Sequence, residues 1–417
     1  MTTVFLAATN VVGSPSVGGH LWVYLQYVLG LRELGCNVYW LEKLQPSGDQ
    51  AQDAALLRAF HERMARHGLA GKCVLYTAEP SSTGGETTFS FGERSNAEAE
   101  ALLRRADLLL NFYYGIDPAL LARFARTALV DIDPGLLQFW MSTGQIHVPA
   151  HDLYFTIGET VGRPGARFPD CGRAWTRFRP PIALSAWPRI AAEPGDAFTT
   201  VSSWWGGGGK GEWITDGADL VYENNKRVTF LEFVELPRRV PQALELALYL
   251  GDGDATLPPS AAEVSGWKPR KPAARGATDY VGDAHDVALL REHGWRVQHS
   301  RDVAGTPEQY QAYVQSSRGE FSCAKPSCMA FQNAWISDRT LCYLASGRPA
   351  VVQDTGPSEF LPNGRGLFRF STLDEAAAAL AAVDADYPAH SSAAREIAET
   401  YFDARSVLPG LLRAAGL

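Results

Sequence analysis

The sequence predicts an α/β protein of two Rossmann-like, doubly wound domains that face a cleft. Three observations carry this. Short apolar runs alternate with helix-patterned segments from residue 4 onward, the rhythm of a parallel sheet with right-handed crossovers. The 417 residues exceed what one ordinary core accommodates. Residues 160–197 then break the rhythm with Pro164, Pro169, Pro180, Pro181, Pro188 and Pro194, after which the alternation resumes. The expected division is 1–185 for the first domain and 186–388 for the second, with 389–417 as closing helices.

Each element has its own signal. Val4–Ala8 is an apolar run suited to a strand buried on both faces. Thr9 to Gly19 is rich in Gly, Ser and Pro and reads as a loop. Leu21, Leu25, Val28 and Leu29 have helical spacing, and Gly35 is a natural stop. Asn37–Leu41 is a second strand. Helices are expected near 51–67, 96–105 and 118–126, and strands near 73–76, 107–111 and 128–132. In the second half, strands are expected near 198–201, 244–250, 295–298, 319–322 and 350–353. Helices are expected near 284–293, 307–316, 338–346, 373–385 and 391–401, with a last short helix to 414. Residues 251–280 read as a surface loop.

Composition narrows the function classes. The formal net charge is −8, with 38 basic against 46 acidic residues. No global basic field is available for a nucleic-acid backbone, so that partner is disfavoured. No apolar run reaches the 18 residues of a membrane span. The opening MTTVFLAATN lacks a basic start and a cleavage site, so no signal peptide is expected. Six cysteines without a C-x-x-C pair argue against a zinc site and suit reduced thiols in the cytoplasm. The spacing His147, His151, Asp152 lacks a defined helix and further ligands, so no metal is expected there. No G-x-S-x-G elbow is present.

Three windows carry candidate chemistry. Gly18 and Gly19 sit at the turn after the first strand, where a ligand can approach the backbone and a helix start favours anions. His20 follows, either as a general base or as a residue that merely caps and packs the helix; the residues alone leave both open. The second window holds Lys325, Ser327, Ser337, Asp338 and Arg339 around an expected helix start, a setting suited to a diphosphate. Asp338 alone also reads as a plain N-cap. The third window, Thr199 to Trp213, contains Ser202, Ser203 and the glycines 206–209 before Lys210. It fails the P-loop pattern, because Gly211 follows Lys210. It reads as a loop at a strand end that closes on a nucleotide or sugar, or as a plain solvent loop. Asp131 and Asp133 close a first-domain strand at the cleft edge. Aromatic residues at 112–114, 139–140 and 175 either line an acceptor pocket or belong to the core.

Two stretches resemble a known family. Gly18-Gly19-His20, with its helix and Gly35 to Trp40, resembles the opening of GT-B glycosyltransferases. Ser337-Asp338-Arg339 through Tyr343-Leu-Ala-Ser-Gly-Arg-Pro-Ala-Val-Val resembles their donor-site helix and strand. The resemblance implies transfer of a sugar from a nucleoside diphosphate sugar, such as a UDP-sugar, with no separate cofactor. The acceptor would be a small molecule, offering a hydroxyl or nitrogen, and the final helices would cross back to the first domain. It implies His20 as the base of an inverting, metal-independent reaction, with Asp131 or Asp133 orienting it. Lys325, the helix start at 338 and Arg339 would meet the diphosphate. The paired glutamates of many retaining members would fall at Ala334 and Cys342, neither acidic, which favours inversion. A nucleotide-sugar 2-epimerase of the same fold and a non-catalytic sugar-nucleotide binder remain alternatives. The arginine-rich, lysine-poor basic set suggests a GC-rich genome and a secondary-metabolite acceptor.

Overall fold

The computed structural model describes residues 1–79, 87–92, 94–206, 212–215, 221–250 and 283–417. The glycines 207–209, Lys210 and the expected surface loop 251–280 lie outside the described residues. The chain forms two compact units. The first comprises Met1–Pro164, Pro169–Ala186 and Phe402–Leu417; the second comprises Gly165–Phe168 and Trp187–Tyr401.

In the first unit the strands are β1 (Thr3–Ala8), β2 (Asn37–Lys43), β3 (Cys73–Glu79), β4 (Thr88–Ser90), β5 (Leu108–Asn111), β6 (Thr127–Asp131), β7 (Leu153–Thr156) and β8 (Trp175–Arg177). Among the described residues they form one sheet in the order β4-β3-β2-β1-β5-β6-β7-β8. Every pair is parallel except β3 with β4. Val4, Phe5 and Leu6 are fully buried, as a strand covered on both faces requires. The chain runs outward from β1 to β2, then returns to β5 on the other side of β1. The sheet therefore switches direction at β1/β5, and open sheets of this kind bind ligands at such a point.

Helix α1 (Gly18–Glu33) buries Leu21, Trp22, Leu25 and Val28 against this sheet. It begins two residues before the expected start, so His20 lies in its first turn. Helix α2 is Gln50–Arg66, capped by Asp49, whose side chain accepts from the amides of Ala51 and Gln52. The helix Ala404–Ala414 packs on α1 at Gly30. A Cβ at Gly30 would stand 2.5 Å from Ala404 Cβ and 2.7 Å from Leu408 Cδ1, so only glycine allows the approach. The chain enters this position through Ile182, whose amide donates to Phe402 O at 2.8 Å and whose carbonyl accepts from Ala404 N at 3.0 Å.

The second unit holds β9 (Ala197–Ser203), β10 (Trp213–Thr215), β11 (Val221–Glu223), β12 (Ala243–Tyr249), β13 (Arg296–His299), β14 (Gly319–Ser322), β15 (Ala350–Gln353) and β16 (Leu367–Phe370). The main sheet has the order β13-β12-β9-β14-β15-β16 and is parallel throughout; β10 and β11 form a separate antiparallel pair. Its switch point is β9/β14. The core packs Phe198, Trp204, Phe230, Leu246, Phe321, Val351 and Phe370.

Several details depart from expectation. The helix expected over 118–126 is one turn, Pro118–Leu121. The proline-rich stretch taken as a boundary contains β8, the edge strand of the first sheet. The closing segment does not start at 389: Tyr387–Ile397 stays with the second unit, and the return comes at Phe402. Strands β7 and β16 and the helix Lys226–Glu232 have no counterpart in the sequence reading.

Candidate active site

The switch point of the second unit gathers most of the expected donor residues. Strand β9 ends in Ser202 and Ser203, and β14 runs on into Cys323, Ala324 and Lys325. Ser202 is buried and donates to the carbonyl of Ser203 at 3.0 Å, while Ser203 is exposed. Lys325 precedes the short helix Pro326–Phe331, and its Nζ lies 3.1 Å from both carboxylate oxygens of Glu212. Glu212 also accepts from the side-chain amide of Asn224. Asn224 Oδ1 in turn accepts from the Ser327 amide at 2.7 Å. Ser327 is thus held through its backbone and is buried.

Lys226 is the cation that sequence reasoning missed. It opens the helix Lys226–Glu232, directly after the buried pair Asn224 and Asn225. Its Nζ lies 5.9 Å from the centre of the Trp335 ring, and among the described residues it has no ion pair. Burial, with the positive charges of Arg339 and Lys325, pulls its pKa down to about 7. A lysine so placed gains from an anion. The signal in the sequence was a rare lysine directly after two asparagines, a residue type that favours helix N-caps.

The helix Asp338–Ala345 starts at the same edge. Ser337, not Asp338, is its N-cap: the Ser337 hydroxyl accepts from the Arg339 amide at 3.3 Å. Asp338 occupies the first turn, and burial pushes its carboxyl pKa up. Arg339 does not offer its guanidinium to a ligand. Nε bonds Glu320 Oε1 at 2.7 Å, Nη1 bonds Val201 O at 2.9 Å, and Nη2 bonds the Ser322 hydroxyl. The expected diphosphate contact of Arg339 is therefore replaced by a buried tie between β9, β14 and the helix. Before this helix, Gln332 and Ala334 hold positive φ values of 51° and 57°, costly for residues with a Cβ. A cavity of about 20 Å³ borders Ser322, Ala324, Ser337, Arg339 and Gln353.

In the first unit His20 lies at the β1 edge. Its Nε2 is 2.8 Å from Thr9 O, and its ring meets Tyr24 edge-on at 5.4 Å. A carbonyl can only accept, so this bond puts the proton on Nε2 and makes Nδ1 the basic nitrogen of the neutral ring. Gly18 and Gly19 form the preceding turn without a side-chain cap. The two aspartates do not orient His20. Asp131 is fully buried and accepts from Gln138 Nε2 and Thr156 Oγ1, each at 2.8 Å, and from the Asp133 amide at 3.0 Å. Burial raises its pKa to about 7. Asp133 accepts from the Tyr114 hydroxyl at 3.3 Å. Neither makes a hydrogen bond to His20.

The residues near 147–152 do not converge either. His151 Nδ1 contacts Pro149 O at 2.8 Å and its Nε2 contacts Asn111 at 3.0 Å, while Asp152 holds Thr127. Burial lowers the His151 pKa, so the ring is neutral and structural. Of the aromatic candidates, Phe112 and Trp175 are core.

The same edge contains an open cavity of about 180 Å³ reached by Thr9, Glu42 and Tyr113. Glu42 is buried at its wall. Oε1 accepts from the amides of Val11 (2.6 Å) and Val12 (2.9 Å), and Oε2 from Trp40 Nε1 (2.9 Å). Burial still dominates and raises its pKa to about 7.

No family model and no curated protein matches the sequence. Solved structures match it over its whole length. An α-glucosyltransferase, in complex with UDP and a 13-mer DNA containing an A:G mismatch, gives a TM-score of 0.57 at 11% identity, covering 100% of this chain and 99% of the other. Anabaena HepE, in complex with UDP and glucose, gives 0.55 at 10% identity, with 100% of each chain covered. The pneumococcal O-GlcNAc transferase GtfA, in complex with UDP and GlcNAc, gives 0.53 at 8% identity, covering 100% of this chain and 98% of the other. At this identity the likeness establishes the fold, which is GT-B.

Proposed function

We propose that the protein is a glycosyltransferase that moves a sugar from a UDP-sugar to a hydroxyl or nitrogen of a small-molecule acceptor, with inversion. The observation that carries this reading is the pair Lys226 and Lys325 at the β9/β14 switch point of a GT-B fold. Breaking the glycosyl–phosphate bond puts negative charge on the departing diphosphate. Two ammonium groups fixed at that edge, together with the start of the helix Asp338–Ala345, would stabilise that charge without reorganising. The bond from Lys325 to Glu212 would then be exchanged for one to the diphosphate. The UDP complexes of the structurally similar proteins support a uridine nucleotide as the donor base.

His20 takes the role of base, with Nδ1 as the proton-accepting atom. Asp131 and Asp133 contribute by shaping the loop after β6 rather than by relaying charge. The absence of glutamates at Ala334 and Cys342 supports inversion. Because the lysines supply the positive charge, the reaction is expected to proceed without a divalent metal. The net charge of −8 argues against a nucleic-acid acceptor.

The test is to titrate the protein with UDP, then incubate it with UDP-glucose or UDP-GlcNAc, with and without an acceptor panel, in EDTA. UDP binding with acceptor-dependent UDP release is the expected result. Conversion of the sugar without acceptor would point to the epimerase, and UDP binding without turnover across the panel to a binding protein. Absence of UDP binding would remove the proposal, and a requirement for added metal would remove its metal-free form.

A further inference from the structure

Two ion pairs stand at the carboxyl edge of the second sheet, and they differ in kind. Arg339 and Glu320 are sealed, with side chains 8% and 0% exposed, and the guanidinium makes three bonds. Lys325 and Glu212 are open to solvent, at 24% and 13%. An open pair contributes little to stability, so its place at a ligand edge calls for another reason.

The acid of the open pair is nevertheless built in from several sides. The Glu212 amide donates to Asn225 Oδ1 at 3.0 Å, and the Glu212 carbonyl accepts from the Asn224 amide at 2.8 Å. Its Oε1 accepts from Asn224 Nδ2. Asn225 stands at the N-cap position of the helix Lys226–Glu232 but makes no cap bond with its side chain. The oxygen that would ordinarily cap the helix instead accepts from the amides of Gly206, at 2.8 Å, and Glu212. A Cβ on Gly206 would stand 2.7 Å from Glu212 Cβ, so the approach requires glycine. An N-cap oxygen and a glycine are thus devoted to fixing one carboxylate, both of whose oxygens lie 3.1 Å from Lys325 Nζ.

Of the two lysines at this edge, Lys226 has no ion pair among the described residues, whereas Lys325 is already matched. Their charges act on each other, so they are neighbours. An anion with one charged centre can be met at Lys226 with the Glu212 pair intact. An anion with two linked centres reaches Lys325 only by displacing the carboxylate.

We propose that Glu212 is a displaceable internal counter-ion: it gives up Lys325 to a diphosphate and retakes it as the diphosphate leaves, which limits how tightly the product is retained. The proposal rests on the glycosyltransferase reading for the word product. Transfer leaves the diphosphate with one more negative charge than it had as a sugar ester, so the product, more than the donor, would be trapped by two unopposed lysines.

The experiment is calorimetric titration of the wild type, Glu212→Gln, Lys325→Met and the double variant with pyrophosphate, phosphate and UDP. Glu212→Gln keeps the shape and the acceptor for Asn224 and removes only the charge. It should tighten pyrophosphate and UDP about tenfold, the worth of one charge-assisted contact, and slow UDP dissociation in stopped flow by a similar factor. Phosphate should change much less, and in the Lys325→Met background the gain should vanish. A variant that merely loosened the fold would bind less, not more; Glu212→Ala repeats the test, and melting temperatures confirm folding. Unchanged or weaker pyrophosphate binding in the folded variants would overturn the proposal. An equal gain without Lys325 would also overturn it, since the effect would then be a general field and not competition for that lysine. Pyrophosphate carries no nucleoside. If it tightens as expected while UDP binds to neither protein, the uridine donor reading fails and the exchange of Glu212 stands.

Discussion

The carboxyl edges of the two sheets share a topology and differ in charge. At the first, Glu42 and Asp131 are buried acids whose pKa values rise to about 7. At the second, Lys226 is a half-buried base whose pKa falls to about 7. Desolvation causes all three shifts, and its direction depends only on the sign of the charge. The difference shows how one fold, used twice, can set protonatable acids at one edge and a base at the other. It also shows that a net charge of −8 hides a local pair of lysines at the second edge.

The comparison can be broken first at its catalytic side. His20→Ala should lower transfer by about 10²–10⁴-fold, the worth of a positioned base, while leaving UDP affinity unchanged. Normal turnover in that variant would remove the base from the first edge. The next largest effect is on stability. Arg339→Met leaves Glu320 buried without its counter-ion and should cost about 3–5 kcal/mol in urea unfolding. Glu320 is fully buried, so a loss under about 1 kcal/mol would contradict the tie between β9, β14 and the helix. Lys226→Met should then weaken UDP by about 10–100-fold, from the 1.5–3 kcal/mol of a hydrogen bond to a charged group. Unchanged UDP affinity would return the diphosphate to Lys325 alone.

The smallest effects are in pH, and the two edges should respond with opposite signs. The folded pKa values of Glu42 and Asp131 lie above their unfolded ones. The native state therefore binds more protons from about pH 4 to 7, and the stability these groups contribute at low pH is lost as pH rises through about 7. Glu42→Gln should flatten that fall, read as melting temperature from pH 5 to 8; an unaltered slope would exclude Glu42 as a source. For Lys226 the folded pKa lies below the unfolded one, so stability climbs from about pH 7 to 10, and Lys226→Met should remove part of the climb. Diphosphate binding would restore the proton to Lys226. UDP binding near pH 7.5 should take up protons, measured as a dependence of the calorimetric heat on buffer ionisation enthalpy. A heat independent of the buffer would argue against contact between Lys226 and the phosphates.

The alternating rhythm was legible because buried parallel strands such as Val4–Leu6 and Ala350–Val351 are apolar without interruption. Strand β8 was not, because Trp175–Arg177 is a three-residue edge element with two exposed side chains, set among prolines. The carboxyl edge of the second sheet was legible in Lys325, Ser337 and the helix start, because the Ser337 cap is written in neighbouring residues. Arg339 was misread for the converse reason: its partners Glu320, Val201 and Ser322 are distant in sequence, and a buried arginine tie looks like a ligand site until those partners are placed. Lys226 and Glu42 were missed because their importance comes from burial, which depends on strands and loops brought in from elsewhere.

The contact of Gly30 with Ala404 and Leu408 has a consequence for the order of assembly. The second unit is nearly continuous in the chain, whereas the first is completed only when the helix Ala404–Ala414 arrives. During synthesis the first sheet must therefore wait, with the groove on α1 uncovered, while all of the second unit emerges and folds. The half made first is the half finished last, and a ribosome paused between residues 186 and 402 would display an apolar face of α1 to chaperones.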